Sequence, residues 1–124
     1  MQLRVARHTK RLDELVRFYR DDLGLPEIGR FADHEDYDGV FLAVPGTSAH
    51  LEFTSGGLHE PPAPNPETLL VLYLGSHEAV ARTCERVGAE PVEAANPYWR
   101  ENGVTLSDPD GFRVVLVPRW WPDS

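Results

Sequence analysis

The 124-residue sequence is poor in cysteine and lacks long apolar runs. Its only cysteine, Cys84, has no partner for an intrachain disulfide or for a thiolate metal site. No apolar run approaches the ~20 residues that a membrane-spanning helix needs, and residues 1–15 lack the apolar segment of a secretory signal. We therefore expect a cytoplasmic protein without a membrane span, in which Cys84 is a small packed residue rather than a nucleophile.

Basic patches are absent as well. The chain carries 12 Lys and Arg residues against 20 Asp and Glu residues, which gives a formal net charge of −8. The basic residues are spread along the chain without forming a stripe, and a net negative charge repels a phosphate backbone. Nucleic acid is therefore not expected as a partner.

What the sequence does contain is an internal repeat. Apolar residues recur at helical spacing from Leu12 to Leu23, and Gly24 ends that helix. A second helical pattern begins after Ser76, a plausible N-cap, and ends at Gly88, which lies 64 residues beyond Gly24. Each helix follows one strand-like run and precedes three more, so the sequence predicts two βαβββ modules.

The boundaries of the two modules follow from the strand patterns and from a proline-rich connector. Residues 55–66, SGGLHEPPAPNP, contain four prolines and two glycines, which is typical of a linker or lid. We expect one domain, 1–124, with module 1 at about 1–55, a linker at 56–67 and module 2 at about 68–120. The acidic run at 32–39 is predicted as a solvated loop. The predicted strands lie near residues 3–8, 28–31, 40–44, 50–54, 68–74, 90–93, 103–107 and 112–117.

Four segments carry a family resemblance that covers nearly the whole chain. They are LDELVRFYRDDLGL at 12–25, HLEFT at 50–54, VGAEPV at 87–92 and GVTLSDPDGFRVVL at 103–116. In these segments the chain resembles the vicinal oxygen chelate superfamily, which includes glyoxalase I, bleomycin-resistance proteins and extradiol dioxygenases. The resemblance implies an α+β fold in which two βαβββ modules form a curled mixed sheet around a ligand cleft, with the helices outside.

The resemblance also implies four metal positions, on the first and last strands of the two modules. At these positions the sequence has Arg4, Glu52, Leu69 and Val115. Only Glu52 offers a suitable donor, because arginine is a permanent cation and leucine and valine have no lone pairs. We therefore predict no metal cofactor, and we expect Arg4 to pair with Glu52 where the metal would stand. The alternative is a divalent metal at a displaced site formed by Glu52, His8 and His50.

Alternation along the strands and one aromatic segment supply the candidate ligand-binding residues. Residues two apart on a strand share a face, so several polar and aromatic side chains are predicted to line the cleft. The segment NPYWRENG at 96–103 is predicted as a loop at its rim, and it offers flat apolar surface with a cation. The candidates are Arg4, His8, His50, Glu52, Tyr73, Tyr98, Trp99, Arg100 and Arg113.

These observations favour a metal-independent protein that binds a small, flat, aromatic compound, as bleomycin-resistance proteins do by resemblance. A homodimer is expected from the two half-size modules and from the adjacent Trp120 and Trp121, which need cover. One alternative is an enzyme of the superfamily, either a lyase, isomerase or ring-cleaving dioxygenase with a divalent metal or a metal-free acid/base catalyst that uses Glu52 and a cleft histidine. Another is a structural or regulatory partner protein with a vestigial cleft.

Overall fold

The computed structural model describes residues 1–122, and its contacts divide the chain into two compact units. The first unit is Met1–Ala63, and the second begins at Pro64. The first contains a mixed sheet of four strands and the second a mixed sheet of three, which confirms the predicted α+β class. Within residues 1–122, every helix is too short or too polar to span a bilayer.

The first unit has a four-stranded sheet in the order β1-β4-β3-β2. β1 runs parallel to β4, and the other neighbours are antiparallel. On the two central strands, β3 and β4, the helix-side face is apolar and buried, and it is formed by Val40, Leu42, Leu51 and Phe53. The elements are β1 (Arg4–His8), α1 (Leu12–Val16), a π-helical segment (Arg17–Asp22), β2 (Glu27–His34), β3 (Tyr37–Ala43) and β4 (His50–Gly56).

The first helix is not uniform, although the apolar spacing predicts one continuous helix. After Val16 the chain widens into the π-helical segment, in which Leu23 N–H donates to the carbonyl of Phe18 at 3.0 Å. Phe18 and Tyr19 are both buried, and the Tyr19 ring lies 4.9 Å from that of Phe53. This segment therefore packs the ring of Tyr19 against the helix side of the sheet.

The prediction of a solvated loop at residues 32–39 is wrong. β2 and β3 extend into this run and are joined by Glu35 and Asp36, which have φ values of 50° and 70°. Aspartate tolerates this left-handed conformation better than most residues, and a two-residue turn of this kind matches the twist of paired strands. The Asp38 carboxylate also accepts a hydrogen bond from the Asp33 N–H at 2.8 Å. The acidic run therefore forms the tip of a hairpin.

The second unit has a three-stranded sheet in the order β5-β7-β6, with β5 parallel and β6 antiparallel to β7. The predicted cap is present, because Ser76 Oγ accepts from Ala79 N–H at 3.1 Å, and Gly88 ends α2 with φ at 71°. The strand predicted at 90–93 is reduced to one bridge between Val92 and Thr105. The elements are β5 (Leu69–Tyr73), α2 (His77–Val87), α3 (Pro97–Asn102), β6 (Val104–Ser107) and β7 (Arg113–Val117).

Residues 97–102 form the short helix α3, so the prediction of a loop at 96–103 is also wrong. The Asn96 side chain caps it by accepting from the Tyr98 N–H at 2.9 Å, and Pro97 occupies the first turn, where its missing N–H costs nothing. Gly103 then leads directly into β6. A side chain there would collide with Val115, so glycine permits the close approach of this junction to β7.

Candidate functional site

The face of the first sheet that points away from the helix carries polar and aromatic side chains, and we call it the open face. It is opposite the buried face because side chains alternate along each strand. The β1–β4 and β3–β4 pairings bring its members side by side across three strands. The open-face residues used below are Arg4, His8, Tyr37, Phe41, His50, Glu52 and Thr54.

Four of these residues surround one guanidinium, and we call Arg4, Phe41, His50 and Glu52 the Arg4 cluster. Arg4 Nε donates to His50 Nε2 at 2.8 Å, and Arg4 Nη1 lies 3.7 Å from Glu52 Oε1. The Arg4 Cζ atom stands 4.7 Å from the centre of the Phe41 ring. The Arg4 side chain is 50% exposed and that of Glu52 is 16% exposed. The predicted Arg4–Glu52 ion pair is therefore present.

The strand register explains how the sequence assembles this cluster. Arg4 pairs with His50 across β1 and β4, and Phe41 pairs with Glu52 across β3 and β4. Directly opposed residues have their Cβ atoms about 4.5–5.5 Å apart, close enough for these side chains to touch. The sequence reasoning missed Phe41, although the alternation of β3 around the buried Leu42 could have placed it on this face.

The residues at the metal positions of the superfamily do not fit a metal ion. Arg4 brings a permanent positive charge to Glu52, the one carboxylate among them. Across residues 1–122 the structure has no group of three or more His, Cys, Asp or Glu side chains that could hold a metal. The displaced set is not assembled either, because His50 Nε2 accepts from Arg4 and His8 is engaged elsewhere.

His8 belongs to a second group on the open face. Its Nδ1 atom lies 2.9 Å from Thr54 Oγ1, and its ring lies 5.5 Å from that of Tyr37. His8 also lines a groove of about 470 Å³ together with residues 55–60, which run from the end of β4 into the connector. Lys10 bonds the Glu60 carboxylate at 3.0 and 3.2 Å and so ties the connector to the end of β1. His8 is therefore a groove residue and not a member of the Arg4 cluster.

Two candidates of the second unit, Tyr73 and Arg113, lie on its strands. Tyr73 is half-buried at the end of β5, in register with Val117. Arg113 Nη1 donates to the Glu93 carbonyl at 2.9 Å, which ties β7 to the segment before α3. Val115 and Val117, also on β7, are fully buried and therefore offer no surface that a ligand could contact.

The aromatic residues of α3 form a small group of their own. The rings of Tyr98 and Trp99 meet edge to face at 4.9 Å. Tyr98 Oη accepts from Arg119 Nη2 at 3.0 Å, while Trp99 and Arg100 line a cavity of about 300 Å³. Cys84, on α2, is partly buried, and desolvation raises the pKa of its thiol, which disfavours a reactive thiolate.

Two family models match this chain, one in each half. Residues 3–54 match the family model for a YycE-like N-terminal domain, and residues 67–118 match that for a YycE-like C-terminal domain. The YycE protein of Bacillus subtilis, which is uncharacterised, is 43% identical over 120 residues, covering 94% of this chain and 86% of its own. The crystal structure of a Bacillus subtilis YycE protein of unknown function superposes with a TM-score of 0.87 and covers 94% of this chain and 88% of that one.

Distant structures share the fold. Glyoxalase I of Leishmania major has a TM-score of 0.69 at 20% identity, covering 94% of this chain and 85% of that chain. The fosfomycin resistance protein FosX of Mesorhizobium loti has a TM-score of 0.66 at 14% identity, covering 92% and 87%. These likenesses agree with the resemblance found in the sequence. The chain belongs to the YycE-like family and has the glyoxalase/bleomycin-resistance fold of the vicinal oxygen chelate superfamily.

Proposed function

We propose that the protein binds a small, flat, aromatic anion at the Arg4 cluster without a metal ion. The observation that supports this proposal is the orientation of the Arg4 guanidinium by a hydrogen bond to His50 and by its position over the Phe41 ring. A cation held in this way is suited to a carboxylate, because its planar group of donors is already aligned before the ligand arrives.

The ion pair with Glu52 leaves room for a ligand. The distance from Arg4 Nη1 to Glu52 Oε1, 3.7 Å, is longer than a hydrogen bond, so this contact is electrostatic only. Half of the Arg4 side chain is exposed, whereas Glu52 is largely covered. A ligand carboxylate can therefore approach the guanidinium from solvent while Glu52 continues to balance its charge. The Phe41 ring beside it offers a surface on which an aromatic ring can pack.

We also propose that the protein is a homodimer. In the single chain, Leu3 and Val5 are 61% and 48% exposed beside or on β1, which is an edge strand. Trp120 and Trp121 are 61% and 76% exposed. Exposed apolar side chains in these numbers commonly mark an interface. Light scattering at micromolar concentration should give twice the chain mass, and a monomer mass would refute this proposal.

Metal analysis combined with a thermal-shift assay tests the binding proposal. The protein is purified without chelator, its metal content is measured, and 2-naphthoate is added as the probe. We expect substoichiometric metal and a rise in melting temperature with 2-naphthoate that persists in EDTA, because a ligand that binds only the native state stabilises it. Near-stoichiometric metal, together with a naphthoate shift that EDTA abolishes, would overturn the proposal and favour a metal enzyme.

A further inference from the structure

Phe31 adds a second aromatic ring next to the Arg4 cluster. The centre of its ring lies 5.9 Å from the centre of the Phe41 ring. Phe31 on β2 pairs with Gly39 on β3, and Gly39 is two residues from Phe41, so all three share the open face. The aromatic surface of the cluster therefore extends beyond Phe41 toward β2.

The Phe31 ring lies directly over Gly39, a glycine in the middle of a central strand. A Cβ atom at Gly39 would lie 2.3 Å from Phe31 Cε1 and 2.4 Å from Phe31 Cζ, so any other residue there would push the ring away. The backbone gives no separate reason for this glycine, because its φ is outside the left-handed region. Glycine weakens the interior of a strand, and it often marks a place where another group approaches the backbone closely. Gly39 thus lets the Phe31 ring lie against β3.

The Phe31 ring keeps surface that a ligand can contact. Gly39 beneath it is buried, whereas Phe31 and Phe41 are only part-buried. The ring of His34 meets that of Phe31 edge to face, with their centres 6.3 Å apart. Phe31 therefore offers a partly exposed aromatic surface whose position is set by three neighbours.

Arg4, Phe41 and Phe31 follow a diagonal across the sheet, from β1 through β3 to β2. The residues of β4 that are level with them are, in the same order, His50, Glu52 and Thr54. The Arg4 Cζ atom lies 4.7 Å from the centre of the Phe41 ring, and Phe31 is the next ring along this line. A flat ligand whose carboxylate binds Arg4 and which lies along the diagonal therefore meets Phe41 first and Phe31 second.

We infer that Phe31, resting on Gly39, makes the anion site selective for aromatic acids with two fused rings in line with the carboxylate. This inference rests on the function proposed above. The carboxylate binds Arg4, the first ring packs beside Phe41, and the second ring packs against Phe31. An offset or edge-to-face contact with Phe31 adds affinity that a one-ring acid does not gain.

Isothermal titration calorimetry with benzoate, 2-naphthoate and 1-naphthoate tests this inference on the intact protein. The second ring of 2-naphthoate extends away from the carboxylate, whereas 1-naphthoate has the same charge and composition but carries its second ring beside the carboxylate. We expect the wild type to bind 2-naphthoate about 3- to 10-fold more tightly than either of the other acids, the effect of one aromatic contact.

Phe31→Leu is the diagnostic variant, because leucine keeps an apolar cover on Gly39 and removes the ring. An aromatic ring over a strand glycine also stabilises a sheet by itself, but a purely structural loss does not depend on the length of the ligand. We expect Phe31→Leu to weaken 2-naphthoate binding about 3- to 10-fold and to leave benzoate binding unchanged.

Gly39→Ala and Gly29→Ala form a matched pair on the same two strands. The methyl group of Gly39→Ala displaces the Phe31 ring, so this variant should lose 2-naphthoate affinity as Phe31→Leu does. A Cβ atom at Gly29 would lie 3.4 Å from Phe41 Cδ2, an ordinary van der Waals contact. Gly29→Ala should therefore bind all three acids as the wild type does.

Arg4→Met separates this inference from the proposed function, because it should weaken the binding of all three acids alike. If Arg4→Met does so but Phe31→Leu keeps the wild-type preference for 2-naphthoate over benzoate, the inference is overturned and the proposed function stands. A wild-type protein that does not prefer 2-naphthoate to 1-naphthoate would also overturn the inference. If none of the acids binds, or if Arg4→Met binds them as the wild type does, the proposed function fails and the inference fails with it.

Discussion

Arg4 Nε donates a hydrogen bond to His50 Nε2 over 2.8 Å, across the register pair that joins β1 to β4. An arginine Nε always carries its hydrogen, so the imidazole nitrogen facing it must be the acceptor. This assigns the neutral ring of His50 to the tautomer with its proton on Nδ1.

That assignment can be tested directly by NMR. At neutral to mildly alkaline pH, long-range ¹H–¹⁵N correlation spectra should show His50 Nε2 without a proton and Nδ1 with one. In Arg4→Met the ring loses this donor, and we expect the tautomer populations to shift toward Nε2–H, the form favoured by free imidazole side chains. An Nε2–H tautomer in the wild-type protein would show that the hydrogen bond is not formed in solution.

The position of Glu52 makes the loss of Arg4 more costly than the loss of a surface arginine. The Glu52 side chain is 16% exposed, so Arg4→Met leaves a largely covered carboxylate without its cation. We expect a loss of about 1–2 kcal/mol in the free energy of unfolding by urea, part of which Glu52→Gln restores in the double variant. Arg82→Met serves as the control, because Arg82 and Glu78 are 59% and 79% exposed. It should cost at most ~1 kcal/mol, and an equal loss in both arginine variants would contradict this account.

Glu27 links the stability of the first unit to pH. Hydrogen bonds from Arg30, and then from Arg20, lower the pKa of this carboxyl from its ordinary value of 4.5 to about 2. A depressed folded-state pKa stabilises the protein above the unfolded-state value, and this stabilisation is lost as the pH falls from 4.5 toward 2. Glu27→Gln should therefore be less stable than wild type near neutral pH, with a smaller difference at about pH 3. A difference independent of pH would show that the carboxylate charge contributes nothing.

Asp108 fixes the turn that precedes β7. Its Oδ1 atom accepts from the N–H groups of Asp110 at 2.9 Å and Phe112 at 3.0 Å, and the residue is 4% exposed. Asp108→Ala leaves both donors without this acceptor and should cost about 1–3 kcal/mol in urea unfolding. Asp108→Asn keeps an oxygen at the same place and should cost clearly less. If both variants lose the same stability, the charge of Asp108 rather than its acceptor geometry holds the turn.

The features that the sequence predicts correctly are those set by local chemistry or by the strict alternation of side chains along a strand. Ser76 and Gly88 bound α2 because a serine hydroxyl can accept from a free N–H at the start of a helix, and glycine readily adopts the left-handed conformation that ends one. The Arg4–Glu52 pair followed from the family positions and the period of two along the strands. Asn96 followed by Pro97 is itself a helix-start signal, so α3 could have been recognised from the sequence.

Other features depend on tertiary contacts that a single sequence does not encode locally. The hairpin tip at Glu35 and Asp36 reads as a solvated acidic loop until the ladder between β2 and β3 is known. The position of Phe41 beneath Arg4 requires the register of three strands at once.

The most direct test of the proposed function is a calorimetric titration of 2-naphthoate into the wild-type protein, Arg4→Met and Arg17→Met. Methionine keeps much of the length and apolar character of arginine but removes the charge, and Arg17 is an exposed residue of the π-helical segment that serves as the charge-matched control. We predict that Arg4→Met weakens 2-naphthoate binding at least about tenfold, as expected for the loss of charged hydrogen bonds to a carboxylate, while Arg17→Met binds as the wild type does. Equal affinity of all three proteins for 2-naphthoate would contradict the assignment of the Arg4 cluster as the ligand site.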